Sequence, residues 1–396
     1  CCLILAMTGI MDVQSAFSGF GNKIVVLIAP MLALSSVLTK TSLVARISSV
    51  MNTIKGKRGM LLVASFFLIG AIFAQFIPTT AAITILVVFL STLDNTGDIT
   101  AKRVLLPLLG VMVAWKFRFP IGLGASTFAT VNGMYEGIIP NPEFQLTMLD
   151  PFIFSIPAMI LLTLYCLFFW KLMPRSEEDI DQSKLKETKK AEMLSHGQEV
   201  LVYAVFAVVM LLMMLNKWTG NMLYLAPGLG VLILIYAKIL RVDEAVKGMT
   251  SDMVWMIAGV LVVADALGKS GAGNAVGNLI LRALGSNPSS LTVMLMFSAA
   301  TVVMTTFLSN MATQTVLIPI AASVALAGGW DPRGIVLIIG TCNYFALGFP
   351  SGSGEAAVCF AAGGYNPVKG LKFTFPFMIV AILTCAFTAN VMYPIY

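Results

Sequence analysis

Nineteen consecutive residues, FIFSIPAMILLTLYCLFFW (152–170), carry no charged side chain. At a helical rise of about 1.5 Å per residue, such a run is nearly as long as the roughly 30 Å hydrocarbon core of a bilayer is thick. IVVLIAPMLALSSVL (24–38) is a shorter uncharged run, and MLYLAPGLGVLILIYAKIL (222–240) is equally long with Lys238 near its end. Several such runs in one chain predict an all-α polytopic membrane protein, because a spanning helix satisfies its own backbone within hydrocarbon. Composition points the same way: of 396 residues 58% are hydrophobic and 11% charged, whereas about a quarter of a soluble domain is charged.

The net charge of +6 would suit nucleic acid in a soluble protein, but here it follows the asymmetry of membrane loops, and no nucleic-acid partner is expected. Loop 40–58 holds Lys40, Arg46, Lys55, Lys57 and Arg58 without an acid. With that loop in the cytoplasm, 18 basic residues fall inside and 5 outside, leaving Lys116 and Arg118 at membrane depth. Two residues apart on a helix, these would point to nearly opposite sides, so one is expected to face the interior and the other to snorkel. The six cysteines sit mostly in apolar runs, and the lone His196 lies in a charged stretch. These predict neither a transition-metal site nor a catalytic triad, and the chain is not expected to be an enzyme. Its first residues, CCLILAMTGI, are expected to be what remains of a longer first helix.

The two halves of the chain resemble each other. LIAPMLALSSVLTKTS (27–42) aligns with MIAGVLVVADALGKSG (256–271) at an offset of 229, FIPTTAAITILVV (76–88) with FLSNMATQTVLIP (307–319) at 231, and PIGLGAS (120–126) with PSGSGEA (350–356) at 230. The expected plan is a first repeat over 1–173, a charged cytoplasmic loop over 174–198, two linking transmembrane helices within 199–246, and a second repeat over 247–396. Each repeat is predicted to hold a re-entrant hairpin (60–92 and 291–327) and an interrupted helix (104–139 and 333–362). The loop charges place the first hairpin on the cytoplasmic side and the second on the outer side. Inverted repeats of this kind are a plan of secondary transporters.

TFLSNMATQTVLIPI (306–320) interrupts an apolar run with Ser309 and Asn310. Polar interruptions survive at membrane depth where they line a cavity. Four are predicted: tips at Pro78-Thr79-Thr80 and Ser309-Asn310-Met311, and breaks at Gly122-Leu123-Gly124-Ala125-Ser126 and Gly352-Ser353-Gly354-Glu355-Ala356. Each break frees backbone N–H groups at a half-helix N-terminus, which suit an anion, and carbonyls, which suit Na⁺. An ionisable residue within the membrane is by default a functional candidate, so Glu355 is a candidate cation or proton carrier.

On these tips and breaks, with GFGNKIVVLIAPMLALSSVLTKTSLVARI (19–47) and GYNPVKGLKFTFPFMIVAIL (364–383), the chain resembles the divalent anion:sodium symporter (DASS) family of the ion transporter superfamily. That family has Ser-Asn-Thr tips and Thr-Pro-Pro-Asn-like breaks. Here Met311 replaces the second Thr, Pro78-Thr79 replace the first Ser-Asn, and Leu123-Gly124-Ala125-Ser126 and Ser353-Gly354-Glu355-Ala356 replace the break motifs. The resemblance implies a homodimeric elevator transporter for di- or tricarboxylates or inorganic oxyanions, usually coupled to Na⁺, with no other cofactor. Carried onto this chain, substrate contacts are expected from Thr79, Thr80, Ser309, Asn310, Ser353 and Gly354. Cation contacts are expected from Thr79, Gly122, Asn310, Gly352 and Glu355. The alternative is a cation/proton exchanger of the same superfamily working through Glu355, and a remote one is an intramembrane enzyme.

Overall fold

The apolar runs form helices. The computed structural model describes residues 2–38, 40–42, 59–90, 99–120, 123–173, 194–214, 222–270, 275, 278–280, 282 and 288–396, among which there is no strand. Gly122, most of loop 40–58 and most of the charged run 174–198 lie outside the described residues. Among the described residues, seven helical segments are long and apolar enough to cross a bilayer. The chain is an integral, multi-pass membrane protein.

The helices pack in two groups. In the first, Lys23–Leu38 lies against Met222–Tyr236 and Val242–Met249, and Met222–Tyr236 against His196–Met214. Polar ties close one end of this group. Lys40 Nζ reaches Glu244 at 2.5 Å, and the Ser42 hydroxyl donates to Glu199 at 2.8 Å. The helix expected from residue 199 begins at His196, because Ser195 and Gln198 form its cap: the Ser195 N–H donates to Gln198 Oε1 at 3.0 Å.

The second group holds the hairpins and broken helices. The first hairpin is Met60–Phe76 with Thr79–Leu90, and the first broken helix is Ala101–Trp115 with Leu123–Glu136. The second hairpin is Ser290–Phe307 with Asn310–Gly328, and the second broken helix is Arg333–Cys342 with Gly354–Gly363. A long helix follows each set, Asp150–Phe169 and Pro367–Met392, and these two pack on one another. The sets also interlock. Gly354–Gly363 packs on Thr79–Leu90, and Asn310–Gly328 packs on Leu123–Glu136. The cysteines Cys166, Cys342, Cys359 and Cys385 are buried among these helices.

Both hairpins turn in the same way. Ile77 and Leu308 are extended, at ψ 155° and 157°, and each donates its N–H to the carbonyl four residues back. Pro78 disfavours helix at Ile77. Ser309 restarts the second arm by accepting the Ala312 N–H at 3.2 Å. Both tips lie within a residue or two of the expected positions.

Both breaks open well before their glycine motifs. In the first, the helix ends at Trp115 and the described residues 116–120 are not helical, while Gly124, Ala125 and Ser126 belong to the first turns of the half-helix that starts at Leu123. The second runs from Asn343 to Ser353, which puts Glu355 and Ala356 in the next first turn. The glycines mark where the helices restart, while Pro120 and Pro350 bar helix from the residues before them. Gly124 has a further role. A Cβ there would collide with the Phe119 carbonyl and lie 2.9 Å from that of Phe117, so the break folds tightly over this glycine.

Gly124→Ala is therefore expected to cost about 1–3 kcal/mol, as overpacking does. A lowered thermal midpoint of the detergent-solubilised protein would register it, and an unchanged midpoint would refute the close approach.

Candidate functional site

Each hairpin stitches the broken helix that follows it in the chain. Near the end of the first arm, the Gln75 side-chain oxygen accepts the backbone N–H groups of Arg118 and Phe119, both at 3.1 Å. Its amide donates to the Trp115 carbonyl, and Phe117 N–H reaches the Ala74 carbonyl at 3.2 Å. These bonds hold Phe117 at φ 54°, a left-handed conformation that a bulky side chain rarely adopts. At the second hairpin the Thr305 hydroxyl donates to the Asn343 carbonyl at 2.7 Å. The Asn310 amide, oriented to satisfy its neighbours, donates to the carbonyls of Asn343 at 2.8 Å and Gly352 at 3.3 Å. The Ser351 hydroxyl donates to the Thr306 carbonyl at 2.9 Å.

Thr305 stands 230 residues after Gln75 and, like the Gln75 amide, donates to a backbone carbonyl of the break that follows its hairpin. Sequence reasoning missed both. The signal was available as a buried polar residue at matched positions in the last turn before each tip.

The second break is the hub of the site. At one end Ser351, Gly352 and Asn343 tie it to the second tip. At the other, Gly354 lies against the Thr80 hydroxyl of the first tip, where an added Cβ would sit 3.5 Å from the oxygen. Lys116 of the first break then crosses to Glu355 at 2.5 Å, and both residues are buried, at 8% and 5% exposure. Arg118 donates to the carbonyls of Ala114 at 3.1 Å and Thr341 at 3.2 Å. Tyr344 is flanked by both cations, Lys116 Nζ 4.7 Å and the Arg118 guanidinium 5.4 Å from its ring centre.

The expectation that Lys116 or Arg118 would snorkel is therefore corrected. Both turn inward. The helix ends at Trp115 and Phe117 is left-handed, so helical spacing does not govern the residues beyond it.

Of the expected site residues, Thr80, Gly354 and Glu355 come together, as do Asn310 and Gly352. The hydroxyls of Ser309 and Ser353 cap half-helices, each accepting an N–H at 3.2 Å. Thr79 is 2% exposed, and its hydroxyl has no partner among the described residues. The Asn343 side-chain oxygen is orphaned in the same way. Lys116 pairs with the buried carboxylate Glu355, and Arg118, buried beside the same Tyr344, is held by backbone carbonyls, so two buried cations and one buried carboxylate lie near three half-helix N-termini.

Paired hairpins and broken helices that meet at a buried, cation-rich junction define a multi-pass membrane transporter. The chain belongs to the citrate transporter family, whose model matches residues 1–340. It is also similar to an uncharacterized transporter of Haemophilus influenzae, 22% identical over 97% of this chain and 84% of the relative. An uncharacterized transporter of Synechocystis sp. is 22% identical over 56% of this chain, a match that spans 34% of that relative's length.

Gln75→Leu removes the acceptor of two buried N–H groups and should cost at least about 1–3 kcal/mol. Thr305→Val should cost a similar amount. Both effects are to be measured as shifts in the unfolding midpoint, and a neutral Gln75→Leu would show that the hairpin does not hold the break.

Proposed function

We propose that the chain is a secondary active transporter moving a small carboxylate anion, of which citrate is the first to test, together with a cation by alternating access. The observation that carries this reading is the meeting of both tips and both breaks at one positively charged junction. An anion entering there would meet Lys116, Arg118 and the N–H groups of the half-helices beginning at Thr79, Asn310 and Gly354. Citrate transporter family membership supports the carboxylate class.

Na⁺ is the coupling ion best suited to the oxygen-rich nest at the second tip. The carbonyls of Thr305, Asn343, Ala346 and Gly352 gather around Asn310 and the Gly352 backbone. Hard cations take such ligands, and the orphaned Asn343 oxygen and Thr79 hydroxyl fit the same chemistry. The finer resemblance to sodium-coupled DASS members belongs to this reading, as do inverted repeats, elevator motion of the hairpin group and assembly as a homodimer. The exchanger alternative fits less well, because Glu355 is paired with Lys116 rather than free to take a cation alone.

Proteoliposomes containing the chain should accumulate labelled citrate above equilibrium under an inward Na⁺ or H⁺ gradient. Failure with every member of a carboxylate and oxyanion panel under both gradients would overturn the reading. Asn310→Ala should lower Na⁺-driven uptake by at least about tenfold, as expected for an interaction of about 1.4 kcal/mol or more. Unchanged Na⁺ dependence in that variant would remove the cation from the second tip.

A further inference from the structure

Glu355 poses a difficulty for an anion transporter. It is the second residue of the half-helix Gly354–Gly363, at the N-terminus where a bound anion would be most favoured. The chain thus places a carboxylate of its own where a carboxylate substrate would dock. That carboxylate faces Thr80 of the first tip and Lys116 of the first break. The titratable groups around it are Lys116, across the junction, and Cys359, one turn along its own helix. Neither ion of the pair has room to stand alone. With a side-chain exposure of 10% for Lys116 and 6% for Glu355, either one left without a counter-ion would carry an unshared desolvation penalty.

Resting on the transport reading, we infer that Glu355 is a tethered stand-in for the substrate's carboxylate, and that loading is an exchange of partners. Between loads Glu355 holds Lys116. An entering carboxylate takes Lys116, and the released Glu355 takes a monovalent cation, Na⁺ or H⁺. One ion pair and two incoming ions become two ion pairs, with neither Lys116 nor Glu355 left single. Anion alone would leave Glu355 bare and facing a second carboxylate. Cation alone would leave Lys116 bare. Each half-loaded state is penalised by the same burial, so the pair itself enforces coupling, and one of the transported cations is assigned to Glu355. This cation is additional to any held at Asn310 and Gly352.

The test is citrate binding to the purified full-length chain in lipid nanodiscs, measured across a Na⁺ series at fixed pH and a pH series without Na⁺. The slope of log affinity against log cation concentration counts the cations taken up with citrate. In Glu355→Gln that slope should fall by about one relative to wild type in one of the two series, which also identifies the cation, and citrate should bind at least about tenfold more tightly when that cation is absent. Slopes matching wild type in both series would overturn the inference while leaving the transport reading intact. Should Glu355→Gln not fold, with Lys116 left single, the neutral pair Lys116→Gln with Glu355→Gln keeps the test open. That double variant should bind citrate at least about tenfold more weakly than cation-saturated wild type, with the slope lowered by about one. Wild-type affinity and slope in the double variant would reduce the pair to a structural clamp. No carboxylate binding to the wild-type chain under any cation would instead overturn the transport reading, and the inference with it.

Discussion

Hydrocarbon offers no hydrogen bonds, and this one constraint organises the functional half of the molecule. A chain that opens its helices within a membrane must supply partners for every N–H and carbonyl it frees. Here the supply comes from neighbouring elements of the same set. Gln75 serves the first break, and Thr305 and Asn310 serve the second. Each hairpin and its broken helix are therefore one unit, and the strained Phe117 survives because that unit over-determines it. Among the buried side-chain atoms left without a partner in the described residues are the Thr79 hydroxyl and the Asn343 oxygen, at the first tip and the second break, and the Thr313 hydroxyl and Gln314 nitrogen on the second arm.

The contacts between the two helix groups are of a different character. Lys23–Leu38 packs on Leu123–Glu136, and Lys23 pairs with Glu136 at 2.6 Å where the two meet. Lys23 is about half exposed, and exposed pairs of this kind contribute about 0–1 kcal/mol. Within the hairpin group, by contrast, the polar ties are buried and interlocked.

Much of this architecture was legible in the sequence. The apolar runs gave the helices, and the chain turns at 77–78 and 308–309, beside the polar interruptions read there. The helix ends at Trp115 and Cys342 come well before the glycine-rich motifs, which mark where a helix restarts rather than where it stops. The inward turn of both Lys116 and Arg118 could not be read from helical spacing, since the residues between them are not helical. The partner of Glu355 lies 239 residues away, a separation at which composition and periodicity are silent. Gln75 was legible in principle, but only to a reader who carried the repeat offset from the motifs to the residues just before them.

The departures from the Ser-Asn-Thr and Thr-Pro-Pro-Asn patterns now form a consistent set. The chain lacks several neutral hydrogen-bonding groups at its tips and breaks, having Pro78, Met311, Leu123 and Ala356 in those motifs. In the same small region it holds a buried lysine, a buried arginine and a buried glutamate. Neutral hydroxyls and amides recognise an anion by shape and hydrogen bonding at little desolvation penalty. A buried charge recognises it more strongly but carries the desolvation penalty whenever it stands without a counter-ion. Under the transport reading, recognition in this chain rests on buried charge, and Glu355 is the counter-charge that lets Lys116 stay buried when no substrate is present.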